Sequence, residues 1–152
     1  MLEAVIAKCV AEASISELCA FGDSLIEAEA KKVFTKDKKM EKGVAFPTCL
    51  SVNNVVGHYS PLKSEDAQLK AGDLVKIDLG CHIDGFVGLV AHTVVVGAEA
   101  LAGPKADVLL AAYNAIQAAL RLLKPGNLNY QVLFNAFLKP GHRSRRQVLR
   151  SF

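Results

Sequence analysis

The chain has 152 residues, 51% of them hydrophobic and 22% charged, which is typical of one globular domain. It contains no apolar run of the roughly 18 residues that a membrane-spanning helix needs, and its amino end lacks a signal-peptide pattern. These features argue against an integral membrane protein. The net charge of +3 is unevenly distributed, because residues 1–138 sum to −2 and residues 139–152 sum to +5.

Two helices are predicted in the first quarter of the chain. Residues 2–13 have helical periodicity. The capping-box spacing of Ser14-Ile15-Ser16-Glu17 predicts a second helix over 16–34, and its apolar stripe comprises Ile15, Leu18, Cys19, Leu25, Ile26 and Val33. An exposed connection should follow, carrying what we call the lysine cluster: Lys31, Lys32, Lys36, Lys38, Lys39 and Lys42.

Three strands are predicted next. Pro47 lies inside the first, 44–52, and therefore indicates an edge strand or a bulge. From 75 to 83 apolar residues occupy the odd positions and polar or small residues the even ones, which is the period of a half-buried strand. Asp84-Gly85 is typical of a two-residue turn, so residues 86–96 should return as the third strand of an antiparallel hairpin.

The hairpin places Asp78 beside Leu89. With a two-residue turn Ile83 faces Phe86 and Gly80 faces Leu89, so Leu89 lies diagonally next to Asp78 on one face. Diagonal positions are about 7 Å apart, close enough for two carboxylates to share a metal ion. A leucine has no lone pair to offer, so a two-metal site cannot be completed here.

The remaining chain predicts one long helix and a basic tail. Gly103-Pro104 fits a helix start, and the Ala- and Leu-rich segment 104–124 should be a core-packing helix that ends at Lys124-Pro125-Gly126. A short amphipathic stretch is predicted over 130–138. Residues 139–152 should be disordered, and their cations are Lys139, Arg143, Arg145, Arg146 and Arg150.

Few other residues indicate chemistry. The four cysteines, Cys9, Cys19, Cys49 and Cys81, lack C-x-x-C spacing, which favours buried, reduced thiols over disulfides or a zinc site. No nucleophile motif and no glycine-rich phosphate loop is present.

Three histidines have alternative interpretations. His58, on a turn, is either an exposed loop residue or part of a former substrate site. His82 shares a face with Asp78, and their spacing permits a hydrogen bond, for which a structural role is expected in preference to a catalytic one. His92 falls on the opposite face beside Ile77 as a packed or capped residue.

Several blocks resemble the type 2 methionine aminopeptidase superfamily over about residues 1–133. They are Ala45-Phe46-Pro47-Thr48-Cys49-Leu50-Ser51-Val52-Asn53-Asn54, Gly57-His58-Tyr59-Ser60-Pro61-Leu62-Lys63-Ser64 and Gly72-Asp73-Leu74-Val75-Lys76-Ile77-Asp78-Leu79-Gly80. The finer resemblance is to its non-peptidase branch, the proliferation-associated, ErbB-receptor-binding proteins. The segments that support it are 36–48, His82-Ile83-Asp84-Gly85-Phe86, Val90-Ala91-His92-Thr93 and Arg121-Leu122-Leu123-Lys124-Pro125-Gly126-Asn127.

The resemblance implies a fold and a former active site. The fold is an α/β (α+β) "pita-bread" architecture of two related halves, of which this chain supplies the first, with an antiparallel sheet packed on helices. Residues 1–138 would form this partial domain and 139–152 the tail. In the peptidases, the His58 position contacts substrate, the Asp78 and Leu89 positions bind metals, and the other ligands come from the second half. The leucine and the missing half both imply that this chain has no catalytic activity, bound metal or cofactor.

The function implied is that of a non-catalytic protein that binds structured RNA or the ribosome. Protein partners, namely a receptor tail or transcriptional regulators, are also implied, in growth and translation control in the cytoplasm and the nucleus or nucleolus. The lysine cluster and the arginines of the tail are the candidate RNA contacts, although either group could be solvated surface. The alternatives are a metal-dependent methionine aminopeptidase with an incomplete site and an inactive truncated isoform. A sheet face exposed by the missing half should favour self-association.

Overall fold

The computed structural model describes residues 1–131. Its contacts divide the chain into two units, residues 1–98 and residues 99–152. Unit 1 contains two helices and three strands, and unit 2 contains one described long helix. The elements are α1 (Leu2–Lys8), α2 (Ile15–Ala30), β1 (Lys42–Val52), a 3-10 turn (Lys63–Glu65), β2 (Leu74–Ile83), β3 (Phe86–Val95) and α3 (Pro104–Leu122).

The three strands of unit 1 form an antiparallel sheet in the order β1-β2-β3. Ile83 pairs with Phe86 across the two-residue turn, and Gly80 pairs with Leu89, which confirms the predicted register. Asp84 and Gly85 have φ of 51° and 81°. Both turn residues thus adopt the positive φ that a tight hairpin of this kind requires.

Strand β1 is irregular at the position of its proline. It is an edge strand, and its pairing with β2 shifts register between Val44 and Phe46 and again between Phe46 and Cys49. Pro47 lies within the second shift, so the predicted edge and bulge are both confirmed. Other groups bind the free backbone nearby: Thr48 N donates to Asp23 Oδ1 at 2.8 Å and Leu50 N donates to the Tyr59 carbonyl at 2.9 Å.

The start of α2 is capped as predicted. The Ser14 hydroxyl accepts from Glu17 N at 3.1 Å. A second cap comes from Asp66, which accepts from the Ser14 hydroxyl at 2.6 Å and from Ser16 N at 2.9 Å. These bonds satisfy backbone donors that the first helical turn leaves free.

The ends of both N-terminal helices were predicted too far along the chain. Helix α2 ends at Ala30 rather than 34, because Phe34 has φ +48° and Val33 and Phe34 are 41% and 57% exposed. Helix α1 ends at Lys8 rather than 13, and Glu12 has φ +67°. A left-handed backbone conformation at a non-glycine residue cannot continue a right-handed helix.

The core of unit 1 lies between the helices and one face of the sheet. Strand β2 contributes Val75, Ile77 and Leu79, which are at most 1% exposed, and α2 contributes Ile26, also 1% exposed. Burying each such side chain contributes roughly 1.5–3 kcal/mol. The residues of β2 that were predicted to alternate therefore point in turn into the core and to the opposite face of the sheet. The remaining buried members of this core are Val5, Cys9, Ile15, Leu18, Cys19, Leu50, Leu69 and Val96.

Helix α3 of unit 2 begins and ends close to prediction. Gly103, with φ +73°, precedes Pro104 at the first turn, and the helix ends at Leu122. Only small residues of this helix are fully buried, and all of them are alanines, while Val108, Leu109 and Leu122 are half-buried. Several other large apolar residues of the helix and its end are half or more exposed. The buried residues are Ala111, Ala115 and Ala119, and the exposed ones are Leu110, Tyr113, Ile116, Leu120 and Leu123.

Within residues 1–131, no helix is long and apolar enough to cross a membrane. The basic tail 139–152 and the amphipathic stretch beyond 131 lie outside the described residues. The boundary at 138 and the predicted disorder of the tail therefore stay predictions.

Candidate functional site

The residues that the resemblance selected converge on one cleft of unit 1. It is an open cleft of about 490 Å³ lined by Phe46, Pro47, Cys49, His58, Ser60, Asp78 and Leu89. His58, Asp78 and Leu89 come from a loop, β2 and β3, and all three border this space. The sequence pattern placed only Asp78 and Leu89 together.

Asp78 is the acidic residue of the cleft. It lies on the central strand between Cys49 of β1 and Ala91 of β3. Its carboxylate has no hydrogen bond within residues 1–131. Burial, followed by the nearby carboxylates of Asp78 and Asp23, raises the pKa of the Cys49 thiol. Cys49 therefore stays protonated near neutral pH and is a poor nucleophile or metal ligand there.

Leu89 contributes only hydrocarbon to the cleft. A Cβ at Gly80, its partner across the hairpin, would lie 2.7 Å from Leu89 Cδ2 and 2.8 Å from Phe46 Cε1. The Leu89 and Phe46 side chains thus lie over Gly80, in space that only a glycine leaves free. Leu89 remains 62% exposed. The neighbour of Asp78 is an alkyl group, as predicted.

His58 is held at the cleft by its neighbours in the chain. It is exposed, with φ +59°. The next residue, Tyr59, accepts from Leu50 N at 2.9 Å and donates its N–H to Ser51 Oγ at 3.3 Å. Both of these bonds attach the loop to the outer edge of β1. His58 is therefore an exposed loop histidine that borders the cleft, and a former substrate site there stays a prediction.

The predictions for the other two histidines need correction. No hydrogen bond joins His82 to Asp78 in the described chain, because residues four apart on a strand are about 13 Å from each other. His92 pairs with Ile77 as predicted, but it is exposed rather than packed. The first seven residues of β3 are all exposed, so the core that buries Ile77 does not extend to its neighbour His92 on the edge strand.

The cysteines are free, and three of the four are buried, as predicted. Burial raises the pKa of Cys9 and of Cys19 to about 11, so both thiols are protonated at neutral pH. The Ser60 side chain hydrogen-bonds Cys19, which partly offsets that rise. Ser60, which lines the cleft, thus also bonds to a buried residue of the core.

The lysine cluster surrounds the end of α2 and the connection to β1. Lys32 Nζ is 2.6 Å from Glu29 Oε1, and Lys42 Nζ donates to the Val33 carbonyl. The other four ammonium groups have no ion-pair partner within residues 1–131, and they are Lys31, Lys36, Lys38 and Lys39. All four are exposed. The candidate arginines, Arg143, Arg145, Arg146 and Arg150, lie outside the described residues.

Comparison with known proteins identifies a family and several relatives that match this chain. The model of metallopeptidase family M24 matches residues 1–140. The chain is 55% identical over 131 residues to proliferation-associated protein A of Dictyostelium discoideum and 52% identical over 132 residues to ERBB-3 binding protein 1 of Arabidopsis thaliana. It is also 48% identical over 135 residues to the curved DNA-binding protein of Schizosaccharomyces pombe. These matches cover 84–87% of this chain. 

A solved structure supports the same relationship. A thermophilic Arx1 matches with a TM-score of 0.74 and 33% identity, over 87% of this chain and 40% of the other. The expected pita-bread architecture and the resemblance to the proliferation-associated proteins are therefore confirmed. The chain spans about a third of the length of the curated relatives it matches, 34% for the first two and 35% for the third.

The metal that the family name implies does not fit the residues of this cleft. Within residues 1–131, no group of three or more His, Cys, Asp or Glu side chains could hold a metal ion. Asp78 supplies one carboxylate, and Leu89 occupies the place of the second ligand that the resemblance implies. The fold is that of the family, while the donor set of this segment is not sufficient for its metal chemistry. The chain belongs to metallopeptidase family M24.

Proposed function

We propose that this chain is a non-catalytic M24 protein that binds structured RNA, alone or on the ribosome, together with protein partners. Its role would be in growth and translation control, in the cytoplasm and in the nucleus or nucleolus. The observation that carries the binding role is the lysine cluster, with four exposed and unpaired ammonium groups between residues 31 and 39 of the described chain.

The absence of catalysis is supported by the chemistry of the cleft. One carboxylate cannot bind two metal ions, and the thiol of Cys49 is held in its neutral form. The cleft retains an imidazole and apolar side chains, which can contact a peptide without activating water. A role in binding is therefore favoured over a role in hydrolysis.

Charge supports nucleic acid as one partner. Exposed ammonium groups bind phosphates and release counterions, so the affinity should fall steeply with salt. Lys31 follows the last residue of α2, where the helix dipole already favours cations. The S. pombe relative is named for binding curved DNA, which agrees with recognition of nucleic acid by charge and shape. We extend this to structured RNA by resemblance.

A protein partner is supported by the relatives and by an exposed surface. The Arabidopsis relative is named for binding ERBB-3, and a receptor tail or a transcriptional regulator is the proposed class of partner here. Strand β3 exposes Phe86, Val87 and Leu89 at 81%, 62% and 62%. Apolar surface of this kind marks contact sites, and we propose that it also allows the chain to self-associate.

The RNA proposal is tested by reversing charge within the cluster. In filter binding of a structured RNA across a salt series, Lys36→Glu, Lys38→Glu and Lys39→Glu combined should weaken binding strongly. They should also lower the slope of log affinity against log salt by about 2 to 3, since each lysine that contacts a phosphate contributes close to one unit.

The matched control has the same change in net charge elsewhere. Lys63, Lys70 and Lys124 are exposed and lie outside the cluster, so their combined change to Glu should reduce the slope much less. If the two triple variants lose the same RNA affinity and the same salt slope, binding depends on net charge alone and the lysine cluster is not the binding site.

The alternative function is a metal-dependent methionine aminopeptidase completed by another chain. One observation favours it, namely that His58 and Asp78 both line an open cleft of about 490 Å³. A coupled assay on methionyl peptides with added cobalt or manganese decides the matter. Turnover that Asp78→Ala abolishes would overturn the non-catalytic proposal.

A further inference from the structure

A hydroxyl group lies in the middle of the lysine cluster. Within four residues on either side of Thr35 the chain has five lysines and one acid, Asp37. Every other serine or threonine in residues 1–131 has at most one lysine in the same span. Basic residues around a hydroxyl are a charge pattern by which protein kinases select their substrates. The lysines around Thr35 are Lys31, Lys32, Lys36, Lys38 and Lys39.

The Thr35 hydroxyl is also accessible. Thr35 is exposed, and its side chain has no hydrogen bond within residues 1–131. Ser24 and Ser60 are exposed too, but Ser24 donates to a carbonyl of its own helix at 2.7 Å and Ser60 bonds to a buried thiol. Ser64 is exposed and unbonded in the described chain, but one lysine and two acids surround it. Thr35 therefore combines exposure, an unbonded hydroxyl and basic surroundings.

Few bonds hold the backbone around Thr35. Residues 31–41 belong to neither a helix nor a strand, and residues 31–39 are all exposed. In the part of the chain that the structure describes, residues 33–40 make a single backbone–backbone hydrogen bond, from Asp37 N to the Phe34 carbonyl at 3.3 Å. Nearby side chains add two further bonds. A segment with so few bonds opens locally at little cost, so it can extend into the active site of a modifying enzyme.

We propose that Thr35 is a phosphorylation site for a serine/threonine kinase that selects basic substrates. In this reaction Thr35 Oγ forms a bond to the γ-phosphorus of ATP, and the bond from that phosphorus to the β,γ-bridging oxygen breaks. ADP leaves with that oxygen, and the hydroxyl proton passes to the catalytic aspartate of the kinase. The product carries about −1.5 to −2 charges at pH 7, among lysines that can hydrogen-bond to it.

Phosphorylation of Thr35 regulates the binding of RNA, and this part of the inference rests on the proposed function. The phosphate adds about two negative charges among the four ammonium groups that have no ion-pair partner in residues 1–131. It competes with RNA phosphates for the same lysines, so binding of RNA should release fewer counterions. We expect about tenfold weaker binding at about 0.1 M salt, and a slope of log affinity against log salt that is lower by about 2.

Mapping of the modified residue tests the site itself. The full chain carries Ser144→Ala and Ser151→Ala, so that the basic tail has no serine to accept phosphate. It is incubated with ATP and a panel of kinases that select basic substrates, and mass spectrometry locates the phosphate. We expect phosphate on Thr35. Thr35→Ala should lose most of the incorporated phosphate, and Thr35→Ser should restore it.

The basis of selection is tested by the flanking charges. Lys31→Gln and Lys32→Gln combined should lose most of the rate of transfer to Thr35, because they remove the basic residues before it. A kinase that selects acidic substrates is the control and should leave Thr35 unmodified. No phosphate on Thr35 with any kinase of the basic-selective panel, or a greater yield on Ser64, overturns the site.

The effect on RNA is measured by filter binding of a structured RNA across a salt series, with the phosphorylated and the unmodified chain. Thr35→Glu should lower the salt slope by about 1, while Ser64→Glu, with the same change in net charge outside the cluster, should lower it much less. A phosphorylated chain that binds RNA like the unmodified chain overturns the regulation. An unmodified chain that does not bind RNA overturns the proposed function and the regulation with it, while the mapping still decides whether Thr35 is the site.

Discussion

At the scale of single residues, the close approach of α2 to β1 depends on Gly22. A Cβ at this position would lie 2.6 Å from Thr48 Oγ1, 2.7 Å from Cγ2 and 3.0 Å from Cβ. Thr48 is fully buried and branched at Cβ, so it cannot rotate away from such a contact. The Thr48 hydroxyl also has no hydrogen-bond partner within residues 1–131. At Gly22 this helix–strand contact is therefore limited by steric fit, beside the hydrogen bond from Thr48 N to Asp23 Oδ1.

Gly22→Ala should destabilise unit 1. Overpacking of this kind costs about 1–3 kcal/mol, partly offset by the roughly 1 kcal/mol that alanine gains over glycine in a helix. Urea unfolding should show a lower midpoint with an unchanged slope. Gly43→Ala is the control, since a Cβ there meets nothing within 4 Å. If Gly22→Ala proves as stable as the unchanged chain, α2 can move away from β1 and the steric argument fails.

At the scale of elements, local pattern predicted the hairpin well and the helix ends poorly. The β2–β3 register follows from a two-residue turn and a period of two, which are both local. The end of α2 depends on the backbone at Phe34, and the apolar Val33 continued the helical pattern past it. The cap from Asp66 could not be predicted, because Asp66 and Ser16 are separated by 50 residues of chain.

The Asp66 cap predicts a pH dependence of stability. Hydrogen bonds from the Ser14 hydroxyl and from Ser16 N lower the pKa of Asp66 below its ordinary value. A pKa that is lower in the folded state contributes stability above the unfolded value of about 3.9, and this contribution disappears as pH falls through the folded value.

Asp66→Asn should therefore destabilise the chain at pH 7, and its difference from the unchanged chain should narrow below about pH 4. Urea midpoints at pH 7, 5 and 3.5 measure this difference. Glu65→Gln is the neighbouring control, because the Glu65 carboxylate has no hydrogen bond in residues 1–131. The difference in urea midpoint between Glu65→Gln and the unchanged chain should therefore vary little with pH. A gap between Asp66→Asn and the unchanged chain that stays constant with pH would contradict the charged cap.

At the scale of the whole molecule, resemblance predicted more than composition or periodicity could. The family, the fold and the place of His58 at the cleft all came from matched blocks, since no local pattern brings the loop at 57–60 to β1. The exposure of Leu110 and Leu120 on α3 was not predicted. An apolar stripe at helical spacing indicates burial, but what covers that stripe is a property of the surrounding chain.

The core of unit 1 is formed within residues 1–98, since all its buried members, from Val5 to Val96, lie in that range. We therefore expect residues 1–98 alone to unfold in one cooperative urea transition, with a slope of about 1–3 kcal/mol/M as for other small domains. Ile77→Asn should abolish this transition, because it buries an amide without hydrogen-bond partners at a position that is 1% exposed. Lys70→Asn, an exposed change in the same fragment, should leave the transition intact. A gradual, non-cooperative loss of structure in residues 1–98 would mean that the buried cluster does not suffice and that the sheet needs further chain to fold.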